Sequence, residues 1–573
     1  MSAGRFDLVV RGGRLVDGSG VQARRADVAI RGRQIAAIFE GEAPSGEAVR
    51  ELDASGCVVA PGFIDAHTHL DAQLCWDATG SPSNRHGVTT VVLGLCGFGV
   101  APCPVGGGDY LLRSLEVVEE IPFACTSQGV PFEWSSFADY LDYLAGLSLS
   151  INAAAFVPHS ALRFFVMGER ARGERADASD RAALVEALEA SLAAGAIGFA
   201  SSRGPNHQDA FGDPVPSRHA DDEELRALVG ACAGRPWQIN AETKFGPDAA
   251  PLLAEIQRYE EWTRAAGARF SWTPFTAEPG EEAWREILAH TREVNASGLE
   301  VAPQVIAQPI SVALRFDRPS VLAIVDGWGE PLRGYANLSH EEKRARLSDS
   351  RVREAMRAAP SDRRLRFAPD YPAWILSTSA TRPELVGRSL AEIAAAEDVH
   401  PADLLCDLAL ADDLATQIQM PVSNRSEEGM RALVTDPHTL LGLGDAGAHV
   451  TSVHNYNNPT QLLAERVRDQ GWLSLEQAVH RLTAQPARFL GLPDRGVVQV
   501  GAAADLTIFD LEALALERAE LRADLPGGGE RLYQAARGYR ATIVGGEIAL
   551  LDDAVVEGVA SGCIVRAREI QAS

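Results

Sequence analysis

Residues 179–200 read SDRAALVEALEASLAAGAIGFA, and residues 221–240 read DDEELRALVGACAGRPWQIN. The first stretch puts Leu184, Leu188 and Leu192 on one face of a helix over 179–194, then meets Gly195 before the short apolar run AIGFA. The second opens on an Asp221…Glu224 pair resembling a capping box and spaces Leu225, Leu228, Val229 and Cys232 as a helix face. It stops at Gly234 before PWQIN. The same order recurs at Gly267, before ARFSW (268–272), and at Gly298, before LEVAPQV (299–305). A glycine after a helix supplies a left-handed C′ residue, and the apolar run behind it reads as a strand buried on both faces. Serial helix–strand units predict a parallel sheet, and right-handed crossovers close such a sheet into a (β/α)8 barrel.

Four further runs complete a count of eight strands: 57–65 (CVVAPGFID), 88–94 (VTTVVLG), 151–157 (INAAAFV) and 439–445 (TLLGLGD). Between the seventh and eighth lies an insertion over about 310–425, rich in Arg, Asp, Pro and Trp. Connections of that length are either lids facing a substrate or helices buttressing the barrel. The ends of the chain differ from its middle. Residues 6–55 and 495–550 alternate short strands with turn dipeptides, and each piece is too small to bury a core alone. The fold expected is therefore α/β: a (β/α)8 TIM-like barrel over 61–485, plus a composite β-sandwich formed by 1–60 and 486–573.

The chain has 573 residues with a formal net charge of −25. So acidic a surface repels phosphates and anionic headgroups, which argues against nucleic acid and membrane partners. The first twenty residues contain no apolar core of a secretory signal, and no window approaches 18 uninterrupted apolar residues. Eight cysteines are too sparse for a disulfide scaffold at this length. A cytoplasmic protein with reduced thiols is expected, and a large acidic barrel of this kind is expected to be a homo-oligomer.

Three features carry chemistry. His67-Thr68-His69 follows the first barrel strand, and residues i and i+2 of a strand point to one side, so both imidazoles can face one ion at the strand's C-terminal end. Asp445 ends the last strand in LLGLGDAGAH, where a carboxylate either completes a metal site and moves a proton or caps the next helix. Cys96, in VVLGLCGFG, is a thiolate donor or a small buried hydrophobe.

The strings APGFIDAHTHLD, VTTVVLGLCGFGVAP, VPHSALRFFVMG, AGAIGFASSR and LLGLGDAGAH resemble the amidohydrolase superfamily, specifically its D-aminoacylase (N-acyl-D-amino-acid deacylase) branch. The resemblance spans nearly the whole chain. It implies a hydrolase acting on non-peptide amide C–N bonds of a small molecule, with zinc (one or two divalent ions) activating water. It further implies His67, His69, Cys96 and Asp445 as metal ligands and Asp445 as general acid/base. His159 and Arg163 would face the substrate, Arg163 as a fork for a carboxylate; Lys244 is a further candidate for substrate contact.

One departure from that branch is conspicuous. Its strands five and six each end in a histidine, whereas WQINAETKFG and ARFSWTPF contain none. Asn240 stands in the first region and Trp272 or Thr273 in the second, and amide or hydroxyl oxygens are poor zinc donors. Either the ion moves to His67, His69 and Asp445, with Cys96 optional, or Glu242 or a carboxylated Lys244 substitutes, or the site holds no metal. The first is the preferred expectation. The alternatives to a deacylase are a non-catalytic barrel kept for binding or assembly, and a cyclic-amide hydrolase or deaminase on the same scaffold. His449 either touches the site or caps the following helix, and His207, in the loop SSRGPNHQDAFGD, either faces the cavity or is an ordinary loop residue. Trp237, Trp272 and Phe275 either line a pocket for a bulky substrate or fill core.

Overall fold

The computed structural model describes residues 5–243, 246–317, 325–335, 338–360, 368–453, 455–492 and 494–567. Lys244 lies outside them. The helix expected from residue 179 spans Ala178–Ala193. Asp177 caps it by accepting from the amides of Ser179 and Asp180, and Leu184, Leu188 and Leu192 are all buried. The next helix, Asp222–Gly230, is capped by Asp221, which accepts from the Glu224 amide. The reciprocal half of the expected capping box is missing there, because the Glu224 carboxylate is drawn elsewhere.

Six strands form one parallel sheet: Phe63–Asp65, Val88–Leu93, Asn152–Pro158, Gly198–Ser202, Pro236–Asn240 and Arg269–Thr273, neighbours in chain order. Two more, Gln304–Val305 and Leu440–Leu441, pair in parallel with each other. Single parallel bridges, Phe270 to Val301 and Thr68 to Ala446, link that pair to the two edges of the six-stranded sheet.

The run expected as one strand over 57–65 is two. Val58–Pro61 joins a seven-stranded sheet that also holds Leu506–Phe509 and Tyr539–Val544, whereas Phe63–Asp65 begins the parallel sheet. The break falls at Gly62, where any Cβ would collide with the Thr89 side chain. A four-stranded sheet, made of Gln34–Phe39, Asp27–Arg31, Phe6–Arg11 and Ala48–Asp53, shares an apolar cluster with the seven-stranded one. Leu8, Val28 and Ile30 meet Val59, Leu506, Ile508 and Ile543 in it. Strands from both ends of the chain thus occupy one sheet.

Residues 310–425 carry a core of their own, in which Leu314, Phe316, Trp328, Trp374, Leu405 and Ile418 are buried together. Its antiparallel strands, Ile310–Leu314, Gln417–Ser423 and Ile375–Thr378, meet the rest of the chain where the Ala313 amide donates to the Ser452 carbonyl at 2.8 Å. That contact brings the insertion against the loop that follows Asp445.

Candidate metal centre

His67 and His69 lie just past Phe63–Asp65, with Thr68 between them turned away to bond Val92 O through its hydroxyl at 2.7 Å. The loop after Leu440–Leu441 is laid along this segment by two backbone bonds: Asp445 N to His67 O at 3.0 Å, and His69 N to Ala446 O at 2.7 Å. Gly447 is required there, since a Cβ would press on the His69 carbonyl and the backbone has φ +88. Asp445 itself is left-handed, at φ 47, a strained conformation of the kind that clusters at functional sites.

Cys96 enters from the turn after Val88–Leu93, also left-handed at φ 51, its amide donating to Gln238 Oε1 at 3.1 Å. Its Sγ is 3.4 Å from His67 Nε2, and Asp445 Oδ1 is 3.5 Å from the same nitrogen. The opposite nitrogen, His67 Nδ1, meets Gln304 Oε1 at 2.5 Å. An amide oxygen only accepts, so Nδ1 carries the proton and Nε2 offers its lone pair toward Cys96 and Asp445. Donor atoms of His67, His69 and Cys96 all lie within 4.8 Å of one another, and all three residues are buried. Burial pushes the Cys96 thiol well above its ordinary value, with Glu119 and Asp445 adding to the effect.

Two acidic residues that sequence reading missed complete the surroundings. Glu119 Oε1 is 3.2 Å from His69 Nδ1, both side chains being buried. Burial raises the Glu119 carboxyl to about 8, against an opposing pull from His449. Glu120 accepts from Ser452 at 2.7 Å and lies 3.6 Å from His449 Nδ1. Burial would lower the pKa of His449, but Glu120, Glu119 and Asp445 outweigh it and hold that imidazole at about 9. The available sequence signal was two adjacent carboxylates at a helix C-terminus, where the helix dipole disfavours them. His207 also reaches this group: its Nδ1 is 2.7 Å from Ser202 Oγ, and its ring feels His449 and His69.

The structure gives several other expected residues internal partners. His159 and Arg163 are fully buried and are spent on Glu224: His159 Nε2 meets Glu224 Oε1 at 2.8 Å, and Arg163 pairs with the other carboxylate oxygen. His159 Nδ1 is taken by Ser201 Oγ, also at 2.8 Å. The guanidinium expected to grip a substrate carboxylate already holds an internal one, the same Glu224 that left the capping box. Trp237 and Trp272 turn to the outer face of the sheet. The Trp237 indole donates to Thr263 of the helix Ala250–Ala266 at 2.8 Å, and Trp272, in register with Ile239, shares that outer face. Phe275 is buried against Trp272. The inner face instead carries Gln238 and Asn240, with Ser271 and Thr273 in register beside them. Asn240 touches the Cys96 thiol, and Thr273 Oγ1 is buried with no hydrogen-bond partner. These two occupy the places expected for histidines. Glu242 is exposed beyond its strand and does not join the donor cluster.

A zinc ion suits the donors that do converge. Two imidazoles and a thiol are good zinc ligands, and a carboxylate stands alongside. A family model described as "Amidohydrolase family" matches residues 50–361 and 370–550. The chain belongs to the amidohydrolase family. This amidohydrolase is 30% identical over 512 residues to D-aminoacylase of Alcaligenes xylosoxydans xylosoxydans, with 89% of each chain covered. It is 29% identical over 524 residues to N-acyl-D-glutamate deacylase of the same organism, covering 89% of this chain and 88% of the relative. Among solved structures, N-acyl-D-glutamate deacylase from Bordetella bronchiseptica, complexed with zinc and a phosphonate mimic of the tetrahedral intermediate, aligns with a TM-score of 0.66 at 25% identity. That match covers 98% of this chain and 100% of the other. A D-aminoacylase studied for its binuclear metal center aligns at 0.64 with 24% identity over the same shares, a likeness of fold.

Proposed function

We propose that this amidohydrolase is a zinc-dependent deacylase that hydrolyses the non-peptide amide bond of small N-acylated molecules, as the N-acyl-D-amino-acid deacylases do. The observation that carries the reading is the convergence of His67, His69 and Cys96 donors, with Asp445 3.5 Å from His67 Nε2. Zinc held by these four residues would supply Lewis acidity toward the amide carbonyl and make water a nucleophile near neutral pH. One ion is the stoichiometry this donor set favours, because Asn240 and Thr273 are poor zinc donors.

The side chains divide the remaining work. Gln304 sets the tautomer of His67, and the backbone bonds between Asp445, Ala446 and the His67–His69 segment hold the carboxylate beside the imidazoles. Asp445 takes one proton from the attacking water and delivers it to the leaving nitrogen, so that amide and water become carboxylic acid and amine. We read the eight linked strands as the (β/α)8 barrel, over about 61–485, and the two terminal sheets, from 1–60 and 486–573, as a composite β-sandwich. The shared strand pairing and shared apolar cluster support that reading. Eight free cysteines support a cytoplasmic location, and the acidic charge disfavours nucleic acid and anionic membrane partners; a homo-oligomer is part of the proposal. No helix among the described residues is long and apolar enough to cross a membrane.

The test is release of free amine from a panel of N-acyl-D-amino acids and aryl amides by the zinc-loaded chain, beside Asp445→Asn. Turnover that the variant loses is expected. No turnover of any panel member, with zinc bound, would remove the deacylase reading.

A further inference from the structure

The two histidines leave one strand end side by side, yet different elements hold them. His67 Nδ1 is engaged by Gln304. His69 Nδ1 is buried with no hydrogen bond, and the nearest charged oxygen is Glu119 Oε1 at 3.2 Å, off the line its N–H would take. Side chains of His69 and Glu119 are each only 4% exposed, so water does not readily stand in for either partner. A buried N–H left unpaired is costly, and a ligating histidine almost always donates its second N–H to a carboxylate, carbonyl or water.

The local backbone explains how Glu119 comes to be there. The helix Gly108–Val118 ends with the Glu119 amide donating to Leu115 O, and Glu120 then turns left-handed at φ 55. That turn separates two adjacent carboxylates. Glu120 goes outward to Ser452 and Thr451, and Glu119 goes inward to His69. Neither carboxylate helps the helix, whose C-terminal dipole repels both.

We infer that Glu119 is the positioning residue of His69: its carboxylate receives the Nδ1–H and leaves Nε2 to face the metal, as Gln304 does for His67. This rests on the metal site proposed above. The experiment is zinc competition against a chromophoric chelator for wild type, Glu119→Gln and Glu119→Ala, with denaturant unfolding of each metal-free chain. Glutamine keeps an acceptor oxygen and is expected to hold zinc within about tenfold of wild type. Alanine is expected to weaken zinc by on the order of 10–100-fold, while metal-free Glu119→Gln unfolds at the wild-type midpoint. Alanine binding as tightly as wild type overturns the inference, and so does equal weakening of both variants, since orientation would then not be what matters. A wild-type chain that takes up no zinc overturns the metal site itself, an outcome distinct from tight wild-type binding with indifferent variants.

Discussion

Gln304 Oε1 sits 2.5 Å from His67 Nδ1, across 237 residues of chain, and this contact selects the nitrogen that faces Cys96 and Asp445. Removing the acceptor frees the ring to rotate and to exchange tautomers. Gln304→Leu is therefore expected to lower zinc affinity about 10–100-fold, the usual effect of losing an outer partner of a metal histidine. Chelator competition on purified wild type and variant measures it; unchanged affinity would mean that His67 is oriented by its backbone alone.

Asp445→Asn keeps the size of the side chain and removes its capacity to take a proton. Turnover should fall on the order of 10²–10⁴-fold, the range of a positioned acid/base group. Steady-state kinetics with zinc content measured in parallel separates proton transfer from metal loss. A variant that keeps its zinc and most of its turnover would place proton transfer on another residue.

Arg163 predicts a stability effect rather than a change in substrate binding. Its guanidinium and the Glu224 carboxylate are buried together, and removing one partner leaves the other charge uncompensated. Arg163→Met should destabilise by about 3–5 kcal/mol in denaturant unfolding. Adding Glu224→Gln should return part of that loss. A folded Arg163→Met with wild-type stability and a large rise in KM for acidic substrates would reverse the assignment.

His207 predicts an acid limb. Burial lowers its pKa to about 3, with His449 and Arg218 adding to the effect, whereas the unfolded chain titrates it near the ordinary 6.5. Between those values the unfolded state binds a proton that the folded state refuses, so stability falls as pH drops from about 6.5 toward 3. Denaturant midpoints at pH 7 and pH 4.5 should converge more for His207→Gln than for wild type. Equal acid losses in the two would show that His207 titrates normally.

Much of the scaffold was legible in residue order because its signals are local. Asp177 caps its helix, the leucines at 184, 188 and 192 face the core, and left-handed Gly195 follows. His67 and His69 share a side because strands alternate, and their place at a strand end drew attention to them. Misreadings came where one residue had two local meanings. Glu224 reads as a capping partner, yet its carboxylate serves Arg163 and His159. Trp237 and Trp272 read as pocket lining or, more often for large aromatics at a barrel rim, as core, and only the face each occupies separates the two.

Helix ends, strand runs and the His-x-His pair follow from neighbours a few residues apart, so the sequence suffices for them. The donor set does not follow from neighbours. Cys96, Asp445, Gln304 and Glu119 reach the histidines from separate elements, brought in by strand register, by the Thr68–Ala446 bridge and by a left-handed turn at Glu120. Which buried carboxylate meets which buried cation depends on the register of strands and helices distant in sequence. A one-residue slip of any strand would turn its side chain to the opposite face, and no local pattern records that choice.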